Sequence, residues 1–133
     1  MKQIACPVAL HPDGGTRRVP AFFGSGAGLQ LVIGDVRDGA VPEAVAAHAL
    51  FDYAGLETRS ALRIGQSDDI VAGERWHFAL CRIVPPVRDR WQHLHGKDGA
   101  PLLRFSWVPL EGDAPAGFDP RFLRALDWIK AAF

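Results

Sequence analysis

The stretch that decides the reading is Gly34–Leu56, GDVRDGAVPEAVAAHALFDYAGL. Pro42 stands where a first helical turn tolerates it, because its missing N–H would have no intrahelical partner there. Glu43 follows, and its carboxylate suits the positive end of the helix dipole. The run to Ala54 is dense in alanine, the strongest helix former. Gly55 supplies the left-handed residue on which helices commonly end. These features predict a helix over Glu43–Ala54. Residues set about 100° apart place Ala46, Ala47, Leu50, Phe51 and Ala54 on one stripe, expected to face a core. Val45, His48, Ala49, Asp52 and Tyr53 fall on the other side.

Working outward, Gln3–Leu10 reads as a strand and His11–Gly15 as a turn, with Arg17–Phe23 returning as a hairpin partner. Gly24–Gly28 is a glycine-rich loop leading into a short strand, Leu29–Ile33. Asp35–Val41 is a polar loop. Downstream, Thr58–Gln66 reads as a strand. Arg75–Val84 is the clearest one, with Trp76, Phe78 and Leu80 on one face and His77, Ala79 and Cys81 on the other. Pro85-Pro86 ends it, Asp89–Pro101 reads as a long polar loop, and Leu102–Leu110 as another strand. Asp119-Pro120 has the pattern of an N-cap followed by proline at the first helical position. Phe122, Leu126, Ile129 and Phe133 then follow at helical spacing and should pack on the sheet. Two helices on a mostly β body predict one layered α/β domain, residues 1–133, with a mixed sheet.

Composition narrows the function. The 133 residues carry 15 basic and 15 acidic side chains, so the cationic excess that a duplex nucleic-acid binder needs is lacking. No apolar run reaches the roughly 18 residues that span a bilayer, and the apolar part of the N-terminus is too short for a signal peptide. Cys6 and Cys81 form neither a disulfide framework nor a zinc site. They read as buried thiols of a cytoplasmic protein.

The skeleton of Gly34–Leu56 resembles the box of the Nudix hydrolases: Gly, five residues, Glu, seven residues, Arg-Glu-apolar-any-Glu-Glu-any-Gly-apolar. Gly34, Leu50, Gly55 and Leu56 fall on their box positions without insertion. The flanks resemble the same family: Gly28–Gly34 leading into the box, Trp76–Ile83, Arg90-Trp91, Phe105–Leu110 and the final helix. The resemblance covers nearly the whole chain and implies a Nudix-type α/β/α sandwich.

It also implies an activity: Mg²⁺- or Mn²⁺-dependent cleavage of a nucleoside diphosphate linked to another group, with box glutamates as ligands. Hard cations want several oxygen donors, and box positions 49, 52 and 53 share one helix face. Here those positions are Ala49, Asp52 and Tyr53, the earlier box glutamate is Ala40, and the box arginine is His48. One short carboxylate stands where the family has a cluster, and a lone aspartate gives a weak Mg²⁺ site. The expectation is therefore a degenerate Nudix protein, with diphosphatase activity lost or very weak and no metal cofactor.

The cleft expected from Gly34, His48, Asp52, Tyr53 and Glu74 would take a nucleotide-like or other small molecule, with Trp91 as the candidate for stacking on it, and Asp52 and Glu74 are the candidate catalytic carboxylates. Asp52 and Asp38 are weak metal candidates. The alternatives are an active hydrolase using relocated carboxylates, for which Asp35, Asp38, Glu43, Asp68, Asp69 and Glu74 are available, and a structural homodimer subunit. The reduced charge on the helix face fits either drift after loss of catalysis or contact with a partner. His93 and His95, two apart, would share a face if extended, although they read as part of the polar loop. Gly24–Gly28 lacks the lysine and the strand–loop–helix context of a phosphate-binding P-loop. Arg17, Arg18, Arg59, Arg63 and Arg75 read as a solvated face.

Overall fold

A computed structural model describes residues 1–23, 28–96, 100 and 102–133. In chain order its elements are β1 (Lys2–Val8), β2 (Arg18–Phe23), β3 (Leu29–Gln30), β4 (Gly34–Asp35), α1 (Pro42–Ala54), β5 (Thr58–Ser67), β6 (Glu74–Ile83), β7 (Arg90–Leu94), β8 (Leu102–Pro109) and α2 (Pro120–Ala132). Strand β6 organises the molecule. Trp76 and Phe78 enter one core, while Ala79, Cys81 and Ile83 enter a second on the opposite face. Strand β1 runs parallel to β6 and divides its side chains in the same way, Ile4, Cys6 and Val8 against Ala5. Strands β4 and β5 complete a mixed sheet of order β4-β1-β6-β5. The second sheet, β3-β2-β8-β7, is antiparallel throughout.

Helix α2 covers the first core. Asp119 caps it by accepting a hydrogen bond from the Arg121 amide at 3.0 Å, and Phe122, Leu126 and Ile129 are buried. Phe133, expected on the same stripe, is the C-cap and is exposed, because the helix ends at Ala132. Helix α1 packs in the second core. It begins at Pro42 and ends at Gly55, which adopts φ +69° and returns its N–H to the Phe51 carbonyl. This is the α/β/α sandwich that the resemblance implies, with a mixed sheet between two helices.

Four local expectations are corrected. Residues 2–8 and 18–23 do not form a hairpin: β1 is paired on both edges, by β4 and β6, and β2 joins the other sheet. The strand expected over Leu29–Ile33 is only β3, and a separate short strand starts at Gly34. The polar segment 89–101 contains β7, an edge strand whose half-buried and exposed residues alternate. Finally, α1 is rotated from the expected stripe. Ala46, Ala49, Leu50 and Ala54 are buried, with Ala49 4% exposed, whereas Phe51 is 55% exposed and Ala47 is half-buried. An alanine-rich helix has little hydrophobic contrast around its circumference, so its neighbours set its orientation. The decisive neighbour is β4: a Cβ on Gly34 would lie 2.9 Å from Val45 Cγ1 and 3.4 Å from Ala49 Cβ, so only glycine admits this approach. Residues 24–27 of the glycine-rich loop, and 97–99 and 101, lie outside the described residues.

Candidate functional site

The close packing of Gly34 on α1 opens a cleft of about 360 Å³ beside the helix. Ile33, Gly34, Asp35 and Arg37 line one side, and Val45, His48, Ala49, Asp52 and Tyr53 the other, with His95 closing the end. Four of the residues singled out in the sequence, Gly34, His48, Asp52 and Tyr53, thus meet in one place. Arg37 joins them from the loop within the box, and His95 from outside it. Arg37 follows Gly34 by three residues and is exposed, without a carboxylate partner among the described residues. His95 gave a usable signal, since its two-residue spacing from His93 is the spacing of one strand face.

Strand β7 builds that end of the cleft through a row of alternate residues. Trp91 Nε1 donates to the Ala54 carbonyl at 2.9 Å, and His93 Nδ1 donates to the Tyr53 carbonyl at 3.0 Å. Both acceptors belong to the last turn of α1, where carbonyls lack helical partners. His95, next on the same side, stacks on the Tyr53 ring with centroids 3.7 Å apart and planes 16° from parallel. Its Nδ1 lies 3.2 Å from Asp52 Oδ2. The aromatic group at box position 53 is therefore covered by an imidazole, and the neighbouring aspartate faces that imidazole. Burial, reinforced by the charges of Asp52 and Asp35, pushes the Tyr53 phenol above its ordinary range, so it stays neutral and offers no anionic ligand.

The other candidates lie elsewhere. Trp91 stacks on Phe105 with centroids 5.1 Å apart and lines a separate pocket of about 240 Å³ with Pro86, Val87 and Arg88. Glu74 is outside the cleft and accepts a hydrogen bond from Trp76 Nε1 at 2.9 Å. Asp38 is exposed and does not line the cleft. Glu43 is held by Arg63 through Nε at 2.7 Å, and Asp68 by Arg75 at 2.8 Å. Asp35 does line the cleft, 3.8 Å from Lys2 Nζ.

The donor set does not fit a magnesium or manganese centre. Positions 40, 49 and 53 supply no carboxylate, and the two carboxylates in the cleft, Asp35 and Asp52, each lie near a nitrogen of another side chain. Among the described residues no three His, Cys, Asp or Glu side chains are grouped as a metal would need. A cation that gives up its waters reluctantly needs more oxygen than this. Beside these two carboxylates the cleft offers one guanidinium, Arg37, the His48 imidazole, and the Tyr53–His95 stack at its end.

No protein-family model matches the chain, and no curated protein matches it. Solved structures do. One is from a study of MutT from Aliivibrio salmonicida and Vibrio cholerae, at TM-score 0.65 and 14% identity, covering 99% of this chain and 98% of that one. A second is an ADP compounds hydrolase, at TM-score 0.66 and 15% identity, covering 98% of this chain and 74% of that one. A third is a Nudix hydrolase family member from Chromobacterium violaceum, at TM-score 0.58 and 16% identity, covering 96% and 77%. The chain has the fold that these proteins share, the Nudix fold. Among the described residues no helix is long and apolar enough to cross a membrane.

Proposed function

We propose that this Nudix-fold chain is a binding module that has lost metal-dependent diphosphatase activity, and that its cleft takes a phosphate-bearing, nucleotide-like small molecule. One observation carries the reading. At the box position where a metal-binding glutamate would stand, the Tyr53 ring lies under His95, and the remaining box carboxylate, Asp52, faces the same imidazole. Arg37 supplies positive charge without any metal, and the cleft has the size of a small-molecule site. Phosphate recognition by a guanidinium needs no cation to bridge it.

A second reading has its own support: Asp35 and Asp52 both line the cleft, so an active hydrolase would draw on these two carboxylates. The two readings separate in one experiment. The purified chain is incubated with Mg²⁺ or Mn²⁺ and a panel of nucleoside diphosphate derivatives. Products are followed by chromatography and the melting temperature is read in parallel. The binding module predicts no turnover and a melting temperature that rises with nucleotide. Turnover that Asp52→Ala abolishes would overturn it in favour of the hydrolase. Neither turnover nor stabilisation, with a concentration-dependent dimer in light scattering, would assign the chain a structural role.

A further inference from the structure

A larger cavity, about 560 Å³, lies away from the cleft and shares no residue with it. Its walls are the segment after β1 (Leu10, His11, Pro12, Gly14), the end of β6 (Leu80–Ile83), Pro85 and Arg59. Arg59 is there because of a bulge. Strand β5 pairs Thr58 with Ile83 and Ser60 with Arg82, leaving Arg59 as an extra residue in the ladder. Bulges re-aim side chains and recur beside functional sites. This one breaks the alternation of β5, and Arg59 and Arg82 line the same cavity.

The polar groups of this cavity are donors. Arg17, Arg18, Arg63 and Arg75 each have a carboxylate partner, whereas Arg59 and Arg82 have none among the described residues. His11 also lines the cavity, its side chain only 9% exposed and packed edge-on against Trp107, with its Nδ1 accepting the Asp13 amide at 3.2 Å. The nearby carboxylate, Asp13, is engaged by Arg18 and by the Gly15 amide at 2.9 Å and does not line the cavity. Leu10, Pro12, Leu80 and Pro85 supply apolar wall.

We infer that this cavity binds the phosphate monoester of a small organic molecule. Two unneutralised guanidiniums match a group that carries close to two negative charges, and their planar forks match its oxygens. The volume exceeds what inorganic phosphate needs and falls in the range of small-molecule sites. The apolar walls give the organic part a place to sit.

Phenyl phosphate is a suitable probe, titrated into ¹⁵N-labelled protein and, in parallel, into a calorimeter, with inorganic phosphate as the comparison. Saturable amide shifts are expected at Leu10–Gly14 and Leu80–Ile83, with phenyl phosphate binding more tightly than phosphate. Arg59→Ala, at an exposed bulge, and Arg82→Ala should each weaken binding about tenfold or more, and Arg59→Lys should recover part of the loss. Folding of each variant is read from the same spectra. The inference is overturned if no saturable shift occurs, if the shifts centre on Gly34 and His48, or if Arg59→Ala binds as tightly as the native chain. Equal affinity for the two probes would overturn the choice of an organic ester.

Discussion

Gly55→Ala tests how β7 holds the end of α1. Gly55 has φ +69°, a conformation in which a Cβ costs about 1–1.5 kcal/mol. The added carbon would also lie 2.9 Å from His93 Cδ2 and 3.1 Å from its Nε2. His93 must then move, and its 3.0 Å bond to the Tyr53 carbonyl is stretched or lost, a further cost of about 1 kcal/mol. The sum is about 2–2.5 kcal/mol, or a fall in melting temperature of about 8 °C for a chain of this length. Urea unfolding measures it. The two components separate in a His93→Ala background, where the steric part vanishes and Gly55→Ala should cost only about 1–1.5 kcal/mol. Displacing His93 also pulls His95 along the strand, so the ring-current shift that Tyr53 imposes on His95 should shrink in the single variant. A loss below about 0.5 kcal/mol, or the same loss with and without His93, would refute the reasoning.

Ala49→Glu combined with Tyr53→Glu returns two carboxylates to the cleft and should raise Mn²⁺ affinity about tenfold or more by calorimetry; no gain means that these positions do not converge on one site. His77 titrates below its ordinary value of 6.5, first because it is buried and then because Arg63 and Arg75 repel its charged form. The folded state therefore holds fewer protons than the unfolded chain as pH falls below 6.5, and stability should decline there. His77→Gln should flatten that slope in urea titrations at stepped pH. Burial pushes the Cys81 thiol up to about 12 and raises the Cys6 thiol as well, so neither should react with a thiol reagent at pH 8 in the native protein, and both should react in denaturant.

The sequence disclosed those parts of the fold in which chemistry differs from residue to residue. Trp76, Phe78 and Ala79 declare their faces because aromatic and small side chains alternate along β6. Pro42 and Gly55 bracket α1, and Asp119-Pro120 starts α2, because each residue does something at a helix end that few others can. The rotation of α1 was hidden, since alanines at 46, 47, 49 and 54 look alike from every direction and Gly34 decides among them through a contact. Strand β7 was hidden as well, because an edge strand carrying Gln92, His93 and arginine reads like a loop. Its Trp91–His93–His95 spacing was the available signal, and it becomes decisive only once the α1 carbonyls are seen opposite. In the candidate site, the box positions were legible as a set. Arg37 was not, because it reaches the cleft from a loop, and the spacing that marks His95 gains its meaning only from the edge strand before it. Glu74 failed to join it because composition cannot say which carboxylates already have partners, and Asp38 because a loop position does not say which way its side chain faces.

The β7 row ties the end of the cleft to strand register. Slippage of this outermost strand by a single position against β8 would swing Trp91 and His93 outward together, and His95, which follows the strand, would go with them. In one movement the helix would surrender both carbonyl partners and the lid over Tyr53. Anchorage of the helix terminus and the cover over Tyr53 consequently rest on one row of side chains.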